Sequence, residues 1–343
     1  MEEKERKPVH REVLKRWIIF IALLCVALLV LAIIGGRWLE HRMEKPEARG
    51  DAHLREELED IPEIEVDGHT YRLRQHLTTI LLIGVDKVSN ADTKNTYRNG
   101  GQADFLRLLV IDAKEKQIQQ IPIDRDTMTP ITILGALGNR TGMRTERIGL
   151  SHGFGKGKDD SCRLTAEAVS NLLYGVPIDF YIALNLDGIS ELNDLLGGIT
   201  VTLEDDFSDL DPTMTKGSTL TLKGDQAEFF VRNRMSVGVG TNESRMMRQQ
   251  IYLSEVQKKI KERLQADSNA AGQLFDALEP FLVTNFTRGR LINEAYAAKD
   301  YGMGEPFRIN GEHIIDKEGF MQFMADEEDV KDIVLSVFYE KNS

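Results

Sequence analysis

The sequence of 343 residues contains only two cysteines and no excess of positive charge. Cys25 lies in an apolar run and Cys162 in a polar segment, so the chain has no material for a disulfide within a domain or for a cysteine zinc site. With 55 acidic residues against 43 basic ones, the formal net charge is -12. That balance argues against a surface that binds a polyanion over the whole molecule, and we expect no nucleic-acid partner.

The motifs of the commonest nucleotide-binding and hydrolytic enzymes are also missing. There is no P-loop, no Gly-x-Ser-x-Gly, no His-Glu-x-x-His and no glycine-rich dinucleotide fingerprint after a strand. His152 is a lone histidine beside glycines, for which we expect a solvated loop position. Apolar residues, in contrast, make up 41% of the chain, which is enough for the core of one large domain or two small ones.

One long apolar run stands near the start of the chain. Residues Trp17 to Gly36 contain no charge and are numerous enough to cross a bilayer core as a helix. A cleaved signal peptide is the alternative, but the run is longer than a typical signal core and no small-residue cleavage site follows it. More basic residues precede the run than follow it, which favours a cytoplasmic N-terminus. We therefore predict a single-pass cell-membrane protein with a cytoplasmic tail over 1–16, a transmembrane helix over 17–36 and the remainder outside.

Composition and periodicity divide that remainder into three segments. Residues 37–75 are charged and poor in large apolar side chains, which is typical of a stalk. Residues 76–265 alternate strand patterns with helical ones, including a long amphipathic helix over 243–264, and this alternation predicts a layered α/β domain. Within it, the polar stretch over 135–160 is predicted as a long loop. Residues 266–343 are predicted to form a helical extension that packs on the core.

Two aspartates and an arginine stand at the ends of the first three predicted strands. Asp86 ends TTILLIGVD, Asp104 precedes FLRLLVID and Arg125 follows KQIQQIPID. Ligands collect at strand ends in α/β sheets, and two carboxylates there would suit a hard cation such as Mg²⁺, completed by water and phosphate oxygens. If parallel neighbours bring these ends side by side, Arg125 faces both carboxylates, an arrangement that suits phosphoryl chemistry. Loop-capping aspartates and a local Arg–Asp pair are the alternatives.

Four arginines are concentrated late in this acidic chain. Arg232 and Arg234 precede a glycine-rich loop, and Arg245 and Arg248 follow it, with Gln249 adjacent. A planar guanidinium binds two oxygens of a phosphate or carboxylate at once. Arg245 and Arg248 share a helical face, whereas Arg232 and Arg234 reach one ligand only from a helix end or an irregular segment. A small, strongly anionic ligand is one interpretation, and salt bridges to surface carboxylates are the other.

Several ordered elements resemble the LytR-CpsA-Psr family of cell-wall glycopolymer ligases. TILLIGVD is similar to the family's opening strand with its aspartate, and QADF stands at its Ser-Asp-Thr element. IPIDRDT is similar to its Ile-Pro-Arg-Asp-Thr element, LKGDQAEFFVRNR to its Leu-x-Gly-x-Gln-Ala-x-x-Tyr-Val-Arg-x-Arg element, and SRMMRQQ to its Arg-x-x-Arg-Gln. LLYGVPIDFYIALNLDGISELNDLLGGITVTL is similar to the central helix–strand–helix–strand unit. The resemblance covers roughly residues 78–262 and fits the single N-terminal span.

The resemblance implies a three-layer α/β/α domain with a central mixed sheet, anchored to the lipid bilayer by its N-terminal helix. It implies an enzyme that moves a glycopolymer phosphate, such as teichoic acid or capsule, from a polyprenyl diphosphate carrier to a peptidoglycan sugar hydroxyl. The implied cofactor is Mg²⁺, with Mn²⁺ as an alternative. By the same resemblance, Asp86 and Asp104 are metal ligands and, with Arg125, catalytic residues. The implied diphosphate-binding set is Arg125, Arg147, Arg232, Arg234, Arg245, Arg248 and Gln249.

Three positions depart from the family's pattern. Arg147 and the five residues after it (RIGLSH) stand where the family has a lysine followed by Ile-Asn-x-Ala-Tyr. Phe105 replaces a hydroxyl residue beside Asp104, and Asp124 replaces a proline. These departures bear on the acceptor and the rate more than on the fold. Two other functions stay open: a polyprenyl-diphosphate hydrolase with the same residues, and a non-catalytic cell-wall binding or regulatory module.

Overall fold

The computed structural model describes residues 64–86, 101–135, 138–233 and 242–341. The predicted cytoplasmic tail, the predicted span over 17–36, the stalk as far as residue 63 and Arg234 lie outside these ranges. Within them, every helix is too short or too polar to cross a bilayer.

The described residues form a mixture of strands and helices that alternate along much of the chain. The strands are β1 Ile64–Val66, β2 His69–Leu73, β3 Leu77–Val85, β4 Ala103–Asp112, β5 Gln117–Ile123, β6 Met128–Leu134, β7 Arg140–Arg147, β8 Phe180–Asn185, β9 Thr200–Thr202, β10 Thr219–Thr221, β11 Leu282–Thr284, β12 Gly302–Met303, β13 Gly311–Ile315, β14 Met321–Ala325 and β15 Tyr339–Lys341. The helices are α1 Ser151–Phe154, α2 Lys158–Leu172, α3 Leu186–Leu195, α4 Asp225–Arg232, α5 Asn242–Ala266, α6 Ala270–Leu278, α7 Arg288–Ala298 and α8 Glu327–Phe338.

A six-stranded sheet in the order β11-β8-β3-β4-β5-β12 forms the centre of the fold. β3 pairs parallel with β8, and β5 with β12, while the other neighbours are antiparallel. The β3 sequence LTTILLIGV is buried or half-buried along its whole length, as expected of a central strand covered on both faces. The predicted α/β fold with a central mixed sheet is confirmed.

The three consecutive strands β3, β4 and β5 run antiparallel to one another. β4 therefore begins at the end of the sheet at which β3 and β5 finish. This brings Asp86, Asp104 and Arg125 to the same end of the sheet. The sequence-based argument reached the same convergence from parallel neighbours, and that premise was wrong. The short turn between β4 and β5 already excludes a parallel pair, because a parallel connection needs a crossover of a dozen or more residues.

Helices lie against both faces of the sheet. On one face, Phe180 of β8 stacks on Phe286, with ring centroids 3.9 Å apart, and Leu291 of α7 packs against the same apolar cluster. On the other face, Tyr181, the next residue of β8, donates a hydrogen bond from its hydroxyl to Asp159 of α2 at 3.0 Å. Successive residues of a strand point to opposite faces, so α7 and α2 cover opposite sides.

A second apolar cluster joins the β9–β10 hairpin to helices α3, α4 and α5. Phe207, Phe230 and Tyr252 are its large buried side chains. The buried side chain of Asn193 in α3 links this helix to the β9–β10 hairpin. It donates to the Leu222 carbonyl oxygen at 2.8 Å and accepts from the Ile199 backbone nitrogen at 3.1 Å. The cluster packs the end of α4 against the middle of α5, and these two helices carry Arg232, Arg245 and Arg248.

The ends of the folded body differ from the predicted boundaries. Residues 64–73, predicted as stalk, form β1 and β2, and β2 pairs with β15 near the other end of the chain. The region after residue 265 is not only helical, because it contributes β11 and β12 to the central sheet and forms the β13–β14 hairpin. These strands are two to five residues long, too short for an alternating pattern to reveal them.

The polar stretch over 135–160 is more ordered than predicted. It contains β7, which pairs with β6 as an antiparallel hairpin, followed by a 3-10 turn and α1. His152 in α1 is 4% exposed, and its Nδ1 lies 3.1 Å from the Gly101 carbonyl oxygen. The prediction of a solvated histidine was wrong, because residues distant in sequence cover the ring.

Candidate active site

Asp86 is held at the end of β3 by paired contacts with the chain just before β4. Its backbone nitrogen donates to the Gln102 carbonyl oxygen at 3.1 Å, and the Gln102 nitrogen donates to Asp86 Oδ1 at 2.6 Å. The carboxylate therefore has a fixed direction beside Asp104. Burial raises the pKa of Asp86; the hydrogen bond from Gln102 lowers it, the charge of Asp104 raises it, and Arg125 and Arg232 lower it, with a net upward shift.

Asp104 is bracketed by arginines from two different elements. Arg125, just after β5, donates to Asp104 Oδ1 through Nη1. Arg245, in the first turns of α5, places Nη1 3.7 Å from Oδ2 and donates from Nη2 to the Asp104 carbonyl oxygen at 3.5 Å. Burial lowers the pKa of Arg125, but the carboxylates of Asp104, Asp126 and Asp124 raise it further, so it stays charged. We call Asp86, Asp104, Arg125 and Arg245 the acid–arginine cluster.

Asp126 is a residue of the candidate site that the sequence did not single out. It is buried, and its Oδ1 lies 3.7 Å from Arg125 Nε and 3.8 Å from Arg147 Nη1. Arg147, at the end of β7, also lies over the Phe320 ring at 4.9 Å. Asp126 therefore brings Arg147 to the acid–arginine cluster. The flanking of Arg125 by Asp124 and Asp126 was the available signal, but the sequence assigned no role to Asp126 beyond the alternative of a local Arg–Asp pair.

The chain packs tightly behind the cluster. The Gly149 nitrogen donates to the Arg125 carbonyl oxygen at 2.9 Å. A Cβ atom added at Gly149 would lie 2.8 Å from the Ala103 carbonyl oxygen and 3.1 Å from that of Arg125. Only glycine allows the segment after β7 to approach the start of β4 and the end of β5 this closely. Gly149 stands where the family has the asparagine of its Ile-Asn-x-Ala-Tyr motif, so at this position the packing of this chain requires a glycine.

The remaining late arginines divide into two groups. Arg232, at the end of α4, pairs with Glu228 one turn earlier at 2.7 Å, is largely exposed, and is close enough to lower the pKa of Asp86. Arg248 makes its contacts within the protein, 3.4 Å from Asp205, to the Asn233 carbonyl oxygen and over the Phe207 ring. Arg245 and Arg248 share a helical face, but Arg245 contacts Asp104 and Arg248 contacts Asp205.

Gln249 follows Arg248 but faces a different neighbour. Its Nε2 donates to the Val231 carbonyl oxygen at 3.1 Å, which ties α5 to the end of α4. It also lines a pocket of about 520 Å³ next to the acid–arginine cluster. The role of Gln249 in binding a diphosphate remains a prediction.

Two carboxylates of the cluster could share a divalent cation. Asp86 and Asp104 interact unfavourably, as the upward effect of Asp104 on the pKa of Asp86 shows. A cation between them would relieve that repulsion. Among the described residues there is no group of three or more His, Cys, Asp or Glu side chains that could enclose a metal. The pair alone fits Mg²⁺, which is usually bound by one or two carboxylates, water and substrate phosphates.

The fold and the cluster together define a mixed α/β protein in which carboxylates and arginines meet at one end of the central sheet. The sequence model of a protein family, the LytR_cpsA_psr family, matches residues 45–334 of this chain. The chain therefore belongs to the LytR-CpsA-Psr family, and the match includes the region after residue 265 as well as the predicted catalytic domain.

Individual relatives support this assignment. The chain is 31% identical over 201 residues, 58% of either chain, to the polyisoprenyl-teichoic acid–peptidoglycan teichoic acid transferase TagU of Halalkalibacterium halodurans. It is 28% identical over 230 residues to the transferase TagV of Bacillus subtilis, covering 65% of this chain and 52% of TagV. The aligned part thus spans little more than half of these relatives. The crystal structure of protein gbs0355 from Streptococcus agalactiae shares the fold, with a TM-score of 0.63 and 20% identity over 78% of this chain and 90% of that one.

Proposed function

We propose that this chain is a phosphotransferase that moves a glycopolymer phosphate from a polyprenyl diphosphate carrier to a sugar hydroxyl of peptidoglycan. The observation that carries the proposal is Asp104, whose carboxylate is bracketed by Arg125 and Arg245 beside a second carboxylate, Asp86. Curated relatives in the same family are named as teichoic acid–peptidoglycan transferases. Teichoic acid is therefore the first glycopolymer to test.

The chemistry follows from the charges of the cluster. The acceptor hydroxyl attacks the phosphorus atom that bears the glycopolymer, the bond to the bridging oxygen breaks, and polyprenyl phosphate leaves. Arg125 and Arg245 stabilise the negative charge that develops on the departing oxygens. The proton of the hydroxyl passes to a carboxylate. We assign this role to Asp86, the carboxylate at the end of β3; burial raises its pKa when no cation is bound, and a bound cation would lower it again.

The proposal includes Mg²⁺, or alternatively Mn²⁺, at Asp86 and Asp104. A divalent ion there would supply Lewis-acid polarisation of the diphosphate oxygens. Arg147, held by Asp126, and Arg232, at the end of α4, would contact the outer phosphate oxygens. Arg234, Arg248 and Gln249 complete the proposed diphosphate-binding set.

The proposed location is the outer face of the cell membrane. The charge-free run over 17–36 would anchor the chain with its N-terminus in the cytoplasm. The catalytic domain would then stand outside, where both the carrier lipid and peptidoglycan are accessible.

A transfer assay tests this function with the full chain in detergent, a synthetic polyprenyl diphosphate disaccharide and a peptidoglycan-derived glycan. We expect a product joined to the acceptor, and a loss of roughly 100-fold or more in rate for Asp104→Asn and Arg125→Gln. Arg163→Gln, in an exposed pair with Asp160 on α2, is the control and should keep the wild-type rate.

The alternatives give different results in the same assay. Formation of polyprenyl phosphate and a free sugar phosphate, at a rate that the acceptor does not change, would identify a hydrolase. Binding of the carrier without turnover at any metal concentration would identify a non-catalytic module. Full activity of Asp104→Asn would contradict the role of the acid–arginine cluster.

A further inference from the structure

Arg107 is a buried cation that the proposed chemistry does not use. It lies in the middle of β4 and is 2% exposed. Its Nη1 donates to two amide oxygens, those of Gln120 at 2.9 Å and of Gln250, while Nε has no hydrogen-bond partner. No carboxylate within the described ranges lies within ion-pair distance of it. Burial lowers the pKa of Arg107 to about 10, so the side chain is still charged at neutral pH.

A buried charge without a counter-ion is costly. Amide oxygens supply dipoles but no negative charge, and the desolvation of a guanidinium is compensated only by a close anion with good hydrogen-bond geometry. An apolar or amide side chain at this position would avoid that cost. The arrangement is explained if the anion arrives with a ligand.

Arg107 forms part of the wall of the pocket beside the acid–arginine cluster. The same pocket of about 520 Å³ is lined by Asp104 and Arg125. Arg107 is three residues beyond Asp104 on β4, which corresponds to about 10 Å along the strand. Because both residues line this pocket, a ligand whose diphosphate lies at the cluster can extend within the pocket to Arg107.

The other walls of the pocket are suited to a sugar. The lining residues include the aromatic Phe105, whose ring centroid lies 5.6 Å from the Arg107 guanidinium carbon, and Phe307, together with the polar Asn310 and His313. Aromatic faces pack against the C–H surfaces of a sugar ring, while a few polar groups bind its hydroxyls and fix its orientation. Phe105, which departs from the family's hydroxyl residue, is one of these walls.

We propose that this pocket binds a negatively charged sugar of the glycopolymer, and that Arg107 recognises the carboxylate or phosphate on that sugar. The inference rests on the proposed function, because it identifies the occupant as part of the donor. It also specifies the donor that the protein selects: a glycopolymer in which the sugar nearest the diphosphate, or the next one, carries its own anionic group.

Binding of small sugars to the full chain in detergent tests the proposal without any transfer step. Isothermal titration with glucuronic acid, glucose 6-phosphate and glucose compares a carboxylate, a phosphate and a neutral ring. We expect the preferred anionic sugar to bind roughly 10-fold or more tightly than glucose, as one hydrogen bond to a charged group supplies. Arg107→Gln should remove this preference. Arg144→Gln, in an exposed pair with Glu146, should keep it.

Thermal unfolding separates recognition from a structural role. Arg107→Gln removes an uncompensated charge and keeps a hydrogen-bonding side chain, so its melting temperature should equal or exceed that of the wild type. A clear fall in melting temperature with the anionic preference intact would show that Arg107 is structural and would overturn the proposal. Wild-type protein without an anionic preference would also overturn it.

The two proposals fail in distinguishable ways. Transfer activity without any preference that depends on Arg107 would overturn only the anionic-sugar site. An Arg107-dependent preference in a protein that transfers nothing would overturn only the phosphotransferase. The tighter of the two anionic probes would identify the substituent as a carboxylate or a phosphate.

Discussion

Asp86 shows how the candidate site affects stability as well as chemistry. Its pKa is raised in the folded protein, first by burial and then by Asp104. At pH values above that pKa, the ionised carboxylate disfavours the folded state relative to the unfolded chain. The penalty disappears as the pH falls below the ordinary value of 3.8, where Asp86 is protonated in both states.

Asp86→Asn should therefore raise the melting temperature of the metal-free protein at neutral pH, and the gain should shrink as the pH approaches 3.8. Added Mg²⁺ should stabilise the wild type more than the variant, because a ligand stabilises the state that binds it. Differential scanning fluorimetry with a chelator and with Mg²⁺ measures both effects. A metal-free variant that melts below the wild type at neutral pH would contradict this interpretation.

Individual residue roles were only partly predictable from the sequence. Asp86, Asp104 and Arg125 were identified because they stand at strand ends, and the structure brings all three together. Asp126 was missed, since its importance lies in the approach of Arg147 from another hairpin. Arg107 was missed because an arginine within an apolar strand has no local signal that separates a buried position from an exposed one.

At the level of elements, the site depends on how closely the segment after β7 packs behind β4 and β5. Helix and strand positions followed from periodicity, but the close approach at Gly149 did not, because it joins residues about 25 to 45 positions apart in the chain. The antiparallel arrangement of β3, β4 and β5 then sets which strand ends meet.

Gly149→Ala should displace the ends of β4 and β5 and destabilise the fold by about 1–3 kcal/mol, as overpacking typically does. The proposed transfer rate should fall as well, since Asp104 and Arg125 stand at those ends. Gly289→Ala is a matched control, because an added Cβ there meets nothing within 4 Å and alanine favours its helix, α7. Urea unfolding of both variants gives the comparison, and equal stabilities would refute the packing argument.

At the scale of the whole molecule, the central sheet is completed by residues from the C-terminal region. β11 pairs with β8 and β12 with β5, so each covers an outer strand of the predicted catalytic domain. Phe286, from the same region, stacks on Phe180. The sequence placed a boundary near residue 265 because two- and three-residue strands carry no periodic pattern.

A fragment of residues 76–265 should consequently fail to unfold cooperatively. It would expose the edges of β5 and β8, a known route to aggregation, and one apolar face of the sheet. The fragment 64–341 should show a single cooperative transition. Circular dichroism during heating, together with limited proteolysis, distinguishes the two, and a cooperative transition in the shorter fragment would show that the C-terminal strands are dispensable.

The small sheet β1-β2-β15 has a consequence for how the protein can be handled. Ile64 and Lys341 both pair with Tyr71, one from each side, so they stand about two strand spacings, or about 10 Å, apart. A short linker could join these two positions, and new chain ends could be opened in a surface loop without disturbing the sheet. A fluorophore attached just after Lys341 would likewise report on the environment of Ile64.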